Sequence, residues 1–493
     1  MDSRIIVEGP LNPALQCRPM VEPVIVPREA HVISRSLIDP DALKVLYRLR
    51  DFNYTAYLVG GGVRDLLLGR TPKDFDVGTD AHPYQIKKLF RNCWIIGRRF
   101  RLAHVRFGQK TIEVATFRRN LPNDEPVEEA MGPGGVVSQD NSFGTPEEDA
   151  FRRDFTINAL FYDIATFSVI DYVGGLDDLQ RGIIRCIGDP CERFQEDPVR
   201  MLRAVAFAAR LGFTLDPPIV AAMADQRQLM GQASPARLIE EYYKILRSGA
   251  AAPTFRLMAQ HGLLDAVTPE LQRHAGHQTL WASLEALDEY RKRYVEIPPH
   301  LTNPILLGSL LLPIGLMPKP APPVPVDERL LGADPDTEPS PDEADEDGSD
   351  EAPRTASRGR LWVQGRRDRR PKPPLMKFGT LPVARRDSER LRQLLSMQTR
   401  LRDLDASPRT RRTLMSRGPF EDALTWLAIH GNSPEVVEHW KGFIEAVRTE
   451  SPDASHAPHD AEPGPDGSGV ARRRRRRRGG RRRGGAGRRP ESA

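Results

Sequence analysis

Hydrophobic and polar positions follow two periods in the first two hundred residues and mainly the helical one afterwards. A helix is predicted from Asp39-Pro40, the acid as N-cap and the proline at the first helical position, with Leu43, Leu46, Tyr47 and Arg50 continuing at helical spacing. The apolar run 57–59 reads as a strand. It enters Gly60-Gly61-Gly62, then a short apolar helix over 63–68, a break at Gly69 and Pro72, and an alternating segment, Asp74-Phe75-Asp76-Val77, that reads as a second strand. A helix over 83–90 turns Ile86, Leu89 and Phe90 inward. A buried strand follows over 93–97, and further strands over 102–107 and 110–117, the last two joined at Gly108. In the third of these, Ile112, Val114 and Thr116 share one face, Glu113 and Ala115 the other.

After a polar loop at 118–142, residues 147–163 have helical spacing, with Phe151, Phe155, Leu160 and Phe161 available for burial. Strands at 167–172 and 183–187 flank Gly174-Gly175 and a helix over 176–180. A long amphipathic helix opens at Glu196-Asp197-Pro198-Val199-Arg200 and runs to Leu211. The helical pattern then holds from Asp216 to about Leu316, restarting at Ser234-Pro235-Ala236-Arg237, and returns over 385–402, 419–430 and 434–447. This order predicts an α+β protein: an N-terminal head with a small mixed β-sheet, followed by an all-α body. The expected divisions are a loose arm (1–30), the head (31–190), a helical neck and body (191–317), a disordered acidic, Pro-rich linker (318–357), a basic helical module (358–450) and a disordered Arg/Gly-rich tail (451–493).

Charge changes this picture only through its distribution. The net charge is +5, yet residues 327–351 are acidic and 472–489 are almost entirely Arg and Gly. A run such as Arg472, Arg475, Arg478, Arg481 and Arg483 cannot build a core. It solubilises or it attracts phosphates, and because acids serve solubility better, a flexible RNA tether is the expectation. The four cysteines show no CxxC spacing, so neither a disulfide framework nor a zinc site is expected. The chain opens with no signal-peptide pattern, and its longest apolar run, 305–317, contains Pro313 and is too short to cross a bilayer. A soluble, cytoplasmic protein is expected.

The chemistry concentrates at the glycine cluster and Asp74-Phe75-Asp76. Glycines let backbone amides approach an anion. Two carboxylates on one strand face repel one another unless a cation lies between them, and hard oxygen ligands suit Mg²⁺ bound with substrate phosphates. Glu113, on a neighbouring strand, is either a solvated residue or a third carboxylate. Arg152-Arg153-Asp154 puts three charges inside an apolar frame, and Asp197 and Arg200 are three apart, on one helix face.

Together these motifs resemble the GG…DxD signature of the DNA polymerase β superfamily. The fuller string, VGGGVRDLLLG…DFDV, is similar to class II tRNA nucleotidyltransferases and bacterial poly(A) polymerases; RRDFTIN and EDPVR match two further motifs of that group. Residues 95–105 (IIGRRFRLAHV) resemble the polymerase version, as does the basic C-terminal extension, and no His-Asp phosphohydrolase module is apparent. The chain departs from the family at Ala206, where an Arg is common, which would leave nucleotide binding to other cations.

The resemblance implies a nucleotidyltransferase head that adds AMP from ATP to RNA 3′ ends without a template. It implies that Asp74 and Asp76 hold two Mg²⁺ ions, with Asp154 or Glu113 as a further catalytic acid. Gly60, Gly61 and Arg64 would meet the triphosphate; Arg152, Arg153 and Asn158 would orient sugar and phosphates; Asp197 and Arg200 would read the adenine. Arg98, Arg99 and Arg101 join the tail arginines as RNA-binding candidates. The expected partners are RNA 3′ ends, ATP and RNA decay factors, with no membrane and no DNA specificity. Two alternatives stay open: a CCA-adding tRNA nucleotidyltransferase using CTP and ATP, and an RNA-binding adaptor with an inactive core.

Overall fold

The computed structural model describes residues 22–97, 101–119, 143–317 and 377–450. Its N-terminal part runs in chain order through β1 (Val24–Val26), α1 (Pro40–Asp51), β2 (Ala56–Val59), α2 (Gly61–Leu67), β3 (Asp76–Thr79), α3 (Pro83–Leu89), β4 (Cys93–Ile96), β5 (Leu102–Phe107), β6 (Lys110–Thr116), α4 (Pro146–Phe151), β7 (Leu160–Asp163), β8 (Ser168–Asp171) and α5 (Gly175–Arg181). The strands form one sheet of order β1-β8-β7-β2-β3-β6-β5-β4. All neighbours are antiparallel except β3 and β6, whose parallel pairing requires a crossover, supplied by α3 and the β4–β5 pair.

Alternation decides which side of the sheet is dry. Leu58, Val77, Ala103, Val105 and Val114 are buried on one face, where α1 and α3 pack with Val45, Leu46, Leu49 and Ile86. Asp39 caps α1 as its sequence predicts, Oδ1 accepting from the amides of Asp41 (2.8 Å) and Ala42 (3.3 Å). On the opposite face a smaller cluster, Val59, Phe117, Ala150, Ala159 and Phe161, covers only the β2–β7 side. Gly78 belongs to this cluster by default: a Cβ there would lie 2.6 Å from the Phe117 ring and 2.9 Å from Val59.

Five sequence expectations are corrected. The strand expected to be buried at 93–97 is an edge strand of the sheet, with Trp94 53% and Ile96 51% exposed. Residues 147–163 are not one helix; α4 ends at Phe151, a turn follows, and 160–163 form β7. The aromatic spacing fits a helix, but Leu160, Phe161 and Tyr162 are buried between β2 and β8, both of which pair with them. The arm is not loose throughout, because Val24–Val26 pairs with β8. The strand carrying the Asp-x-Asp begins at Asp76, so Asp74 precedes it in an exposed turn, 71% exposed. The strand expected over 183–187 shrinks to β9 (Ile183–Ile184), which pairs with β10 (Thr214–Leu215) and lies outside the head sheet.

Beyond the head come α6 (Pro190–Glu196), α7 (Val199–Leu211), α8 (Pro217–Gln226), α9 (Pro235–Leu246) and α10 (Ala251–Gln260), then further helices at Gln278–Lys292 and Asn303–Leu311, the last buried from Pro304 onward. The expected C-terminal helices are present at Arg385–Ser396, Phe420–His430 and Pro434–Glu450. Residues up to Val437 form one compact unit and those from Glu438 another. Among the described residues no helix is long and apolar enough to cross a membrane. The expected linker and tail, with Arg472, Arg475, Arg478, Arg481 and Arg483, and also Arg98 and Arg99, lie outside the described residues.

Candidate active site

Strand pairing brings the glycine loop and the acids together. Val59 lies opposite Asp76, so the chain leaves β2 for the loop beside the first residue of β3. Gly60 has φ +72°, and a Cβ on it would lie 3.0 Å from Arg153 Nη1, so glycine is required twice over. Its amide already donates to the Leu160 carbonyl (3.1 Å), which leaves Gly61, the first residue of α2, as the nearer loop glycine for a ligand.

The β3–β6 register sets Val77 beside Val114, and hence Asp76 and Glu113 on the opposite, open face. Burial, then the charges of Glu113 and Asp74, push the Asp76 carboxyl up to about 6, while Arg153 pulls the other way. Glu113 thus belongs with the Asp-x-Asp pair. Among the described residues no three His, Cys, Asp or Glu side chains converge closely enough to hold a metal ion. Asp74 instead lies 3.4 Å from Lys73. The acids nevertheless suit a divalent cation by charge: Asp76 is half-buried beside two like charges, a conflict that a cation relieves.

Asp154 has a different environment. Its carboxylate accepts from Arg203 (Nε, 2.8 Å; Nη2, 2.7 Å), from Asn158 Nδ2 (3.1 Å) and from the Phe155 amide (2.9 Å). Burial opposes its charge, but Arg203 and these hydrogen bonds outweigh burial and hold the carboxyl below its ordinary value. It joins the head to α7 and has no place among the mutually repelling acids.

Arg64 also departs from expectation. It is 2% exposed, with its guanidinium on Asp65 (2.7 Å) and on the Asn158 side chain, so it braces the loop. Its Cζ lies 5.3 Å from the Phe207 ring, which also carries Arg203 (5.3 Å) and Arg210 (5.4 Å).

Two further cations come from the RRD turn. Arg153 donates to Asp149 (2.8 Å) and to the Asn158 carbonyl (3.1 Å), and it is the cation acting on Asp76. Among the described residues, Arg152 has an ion-pair contact with Asp149, at 3.9 Å. Burial, and then the like charges of Arg153, Arg193 and Arg200, hold its guanidinium below the ordinary value against the pull of Asp149. Such crowding favours an anion.

Both arginines line a cavity of about 630 Å³, along with Asp154, Asp197, Arg200, Arg203 and, from α9, Arg237. Asp197 caps the end of α6, and its carboxylate takes two bonds from Arg237 (2.7 and 3.1 Å). Arg200 turns to Glu196 (2.7 Å) and to the Arg193 carbonyl (2.7 Å), so the i,i+3 pair suggested by spacing is replaced by two longer-range ones. Arg193, buried, ties neck to head by donating to the carbonyls of Arg152 (2.8 Å) and Arg153 (2.6 Å). Arg101 lies apart from this cavity, stacked 5.8 Å from Tyr84. Sequence reasoning missed Arg193, Arg203 and Arg237. Only Arg203 carried a signal, its position one turn after Arg200.

A mixed sheet with a glycine loop, grouped acids and an arginine-lined cavity at the neck defines a nucleotidyltransferase head. Three family models match in chain order: "Poly A polymerase head domain" over 56–185, "Probable RNA and SrmB- binding site of polymerase A" over 212–274, and "Polymerase A arginine-rich C-terminus" over 376–483. The three matched stretches are those of poly(A) polymerases, and the relatives of the chain also include CCA-adding enzymes. It is 53% identical to poly(A) polymerase I of Salmonella typhi over 252 residues, 51% of this chain and 54% of that protein. It is 46% identical to poly(A) polymerase I of Haemophilus influenzae over 236 residues, 48% and 52% of the two chains. The CCA-adding enzyme of Lactobacillus johnsonii is 36% identical over 226 residues, 46% and 54%. The chain thus spans about half the length of these relatives. Among solved structures, the crystal structure of the Bacillus stearothermophilus CCA-adding enzyme in complex with CTP superposes with a TM-score of 0.52 at 25% identity, covering 83% of each chain.

Proposed function

We propose that this protein adds AMP from ATP to RNA 3′-hydroxyl groups without a template, releasing pyrophosphate. The observation that carries the reading is the grouping of Asp74, Asp76 and Glu113 next to the Gly60 loop, with Arg153 common to that group and to the neck cavity. Asp74 and Asp76 would hold Mg²⁺, with Glu113 as the third acid, and the bound ions would neutralise charge at the α-phosphate and the leaving pyrophosphate. Arg152 and Arg153 receive the triphosphate, the most crowded cation meeting the most concentrated negative charge. Asn158 bridges Arg64 and Asp154 and keeps the loop and the RRD turn in register. Asp197, held by Arg237, faces the base as an acceptor for the adenine amino group, and Arg200 is the donor beside it. Arg203, one turn before Ala206, supplies a cation on the helix where the family commonly has another.

The divisions at 190, 317, 357 and 450 are retained in this reading, with a basic C-terminal RNA tether, a cytoplasmic setting and a role in RNA decay. Higher identity to the poly(A) polymerases (46–53%) than to the CCA-adding enzyme (36%) favours ATP as sole substrate. Purified protein supplied with single nucleotides tests it. Long A tracts on unrelated RNAs are expected; short addition requiring CTP would make it a CCA-adding enzyme. Unchanged incorporation by Asp74→Ala would remove the acids from the chemistry, and none by the wild type would leave only an RNA-binding role.

A further inference from the structure

The open half of the head sheet carries a line of side chains that the chemistry above leaves unused. Trp94 of β4 lies opposite His104 of β5, and His104 lies opposite Glu113 of β6. Residues facing each other across antiparallel strands project to the same side, so these three follow one another across the sheet. The β3–β6 register extends the line to Asp76. The reverse face of these strands is closed by Cys93, Ala103, Val105 and Val114, all buried. On the open face Trp94 is 53% exposed and Glu113 52%, while His104 Nε2 sits 3.7 Å from Glu113 Oε1. Arg106, two residues beyond His104 and exposed, adds a positive charge on the same side.

Edge strands are usually blunted by charge, and β4 instead shows an indole, with Ile96 also exposed beside it. Folding gives no reason for that indole. Its distance from the acids does: two strand spacings separate Trp94 from Glu113, roughly 10 Å. An exposed ring at that range, with a second ring between and a cation alongside, has the composition of a single-strand nucleic-acid platform, where bases stack on aromatics and cations follow the backbone.

We infer that Trp94 stacks a base of the RNA's 3′-terminal segment, upstream of the nucleotide whose hydroxyl reacts, and that His104 lies beneath the strand between them. This rests on the reading of the site as an RNA nucleotidyltransferase. It adds a primer subsite on β4–β5 that shares no residue with the lining of the neck cavity.

The test uses the full-length chain, a short RNA hexamer, ATP and Mg²⁺, with kcat and KM measured for each substrate. Trp94→Ala is expected to raise the RNA KM about tenfold, to leave the ATP KM within about twofold, and to leave kcat at saturating RNA little changed. Trp94→Phe, which keeps a ring, retains most of the affinity. An unchanged RNA KM in Trp94→Ala, which would leave the β4 edge to a protein strand, overturns the inference. Equal damage from Ala and Phe overturns it too, because stacking is then not the role. If the wild type incorporates no AMP, the reading of the site fails. If it incorporates normally and Trp94→Ala matches it, only the platform fails.

Discussion

Asp76→Asn is expected to stabilise the metal-free protein while abolishing nucleotide incorporation. The carboxyl rises from an ordinary 3.8 to about 6 in the fold, through burial first and then Glu113 and Asp74. For a raised acid the sign is clear: ionisation is harder in the fold than in the unfolded chain. Asp76 therefore costs nothing below pH 3.8, a growing amount between 3.8 and about 6, and the full amount above. About two units at 1.36 kcal/mol each is ~3 kcal/mol, which residual solvent contact trims to about 2 kcal/mol. The amide is nearly isosteric and carries no charge. In EDTA at pH 7.5 the variant's transition should rise by roughly 4–8 °C if 150–250 residues melt together. At pH 4 the gap should close, because the wild-type carboxyl is then protonated. Mg²⁺ should raise the wild type at pH 7.5 and leave the variant nearly unmoved. A variant that melts no higher than wild type in EDTA at pH 7.5, or a gap equally large at pH 4, refutes the reasoning.

Further outcomes follow from the same geometry. Arg203→Ala leaves Asp154 buried without its cation, at a cost of roughly 3 kcal/mol in urea unfolding. Asp154 lies below its ordinary value, so the stability it confers is present above that range and lost as pH falls; the same variant should flatten the acid limb of the stability profile. Arg237→Ala breaks an exposed pair and should alter stability by less than about 1 kcal/mol, while raising the ATP KM and lowering the preference for ATP over CTP. Gly78→Ala drives a methyl into Phe117 and Val59 and should cost roughly 1–3 kcal/mol in thermal unfolding. Deleting 472–489 should weaken RNA binding and flatten its salt dependence, measured by filter binding across a salt series, with the ATP KM unchanged.

Much of the head was legible because its signals are local. The α1 cap, the glycine loop and the β5–β6 hairpin each need only adjacent residues, and the alternation around Glu113 gave its face correctly. What failed was decided by partners distant in sequence. Phe151, Phe155, Leu160 and Phe161 have helical spacing, and only the neighbouring strands make the last two extended. Arg64 sits between Val63 and Leu66, a frame that signals burial, yet its partner Asn158 is 94 positions away. Arg237 reaches Asp197 across 40 residues, and nothing in Ser-Pro-Ala-Arg announces that contact. The Asp-x-Asp alternation suggested one strand; the exposed turn ending in Asp74 shortened it.

Phe207 makes one benzene ring the common keel for three guanidiniums that otherwise serve separate tasks: Arg64 behind the glycine bend, Arg203 on Asp154, and Arg210 at the far end of its helix. A branched aliphatic in its place would loosen all three moorings together. The brace on the glycine bend and the tie between Asp154 and its helix, which look like independent parts of this molecule, would then slacken in step.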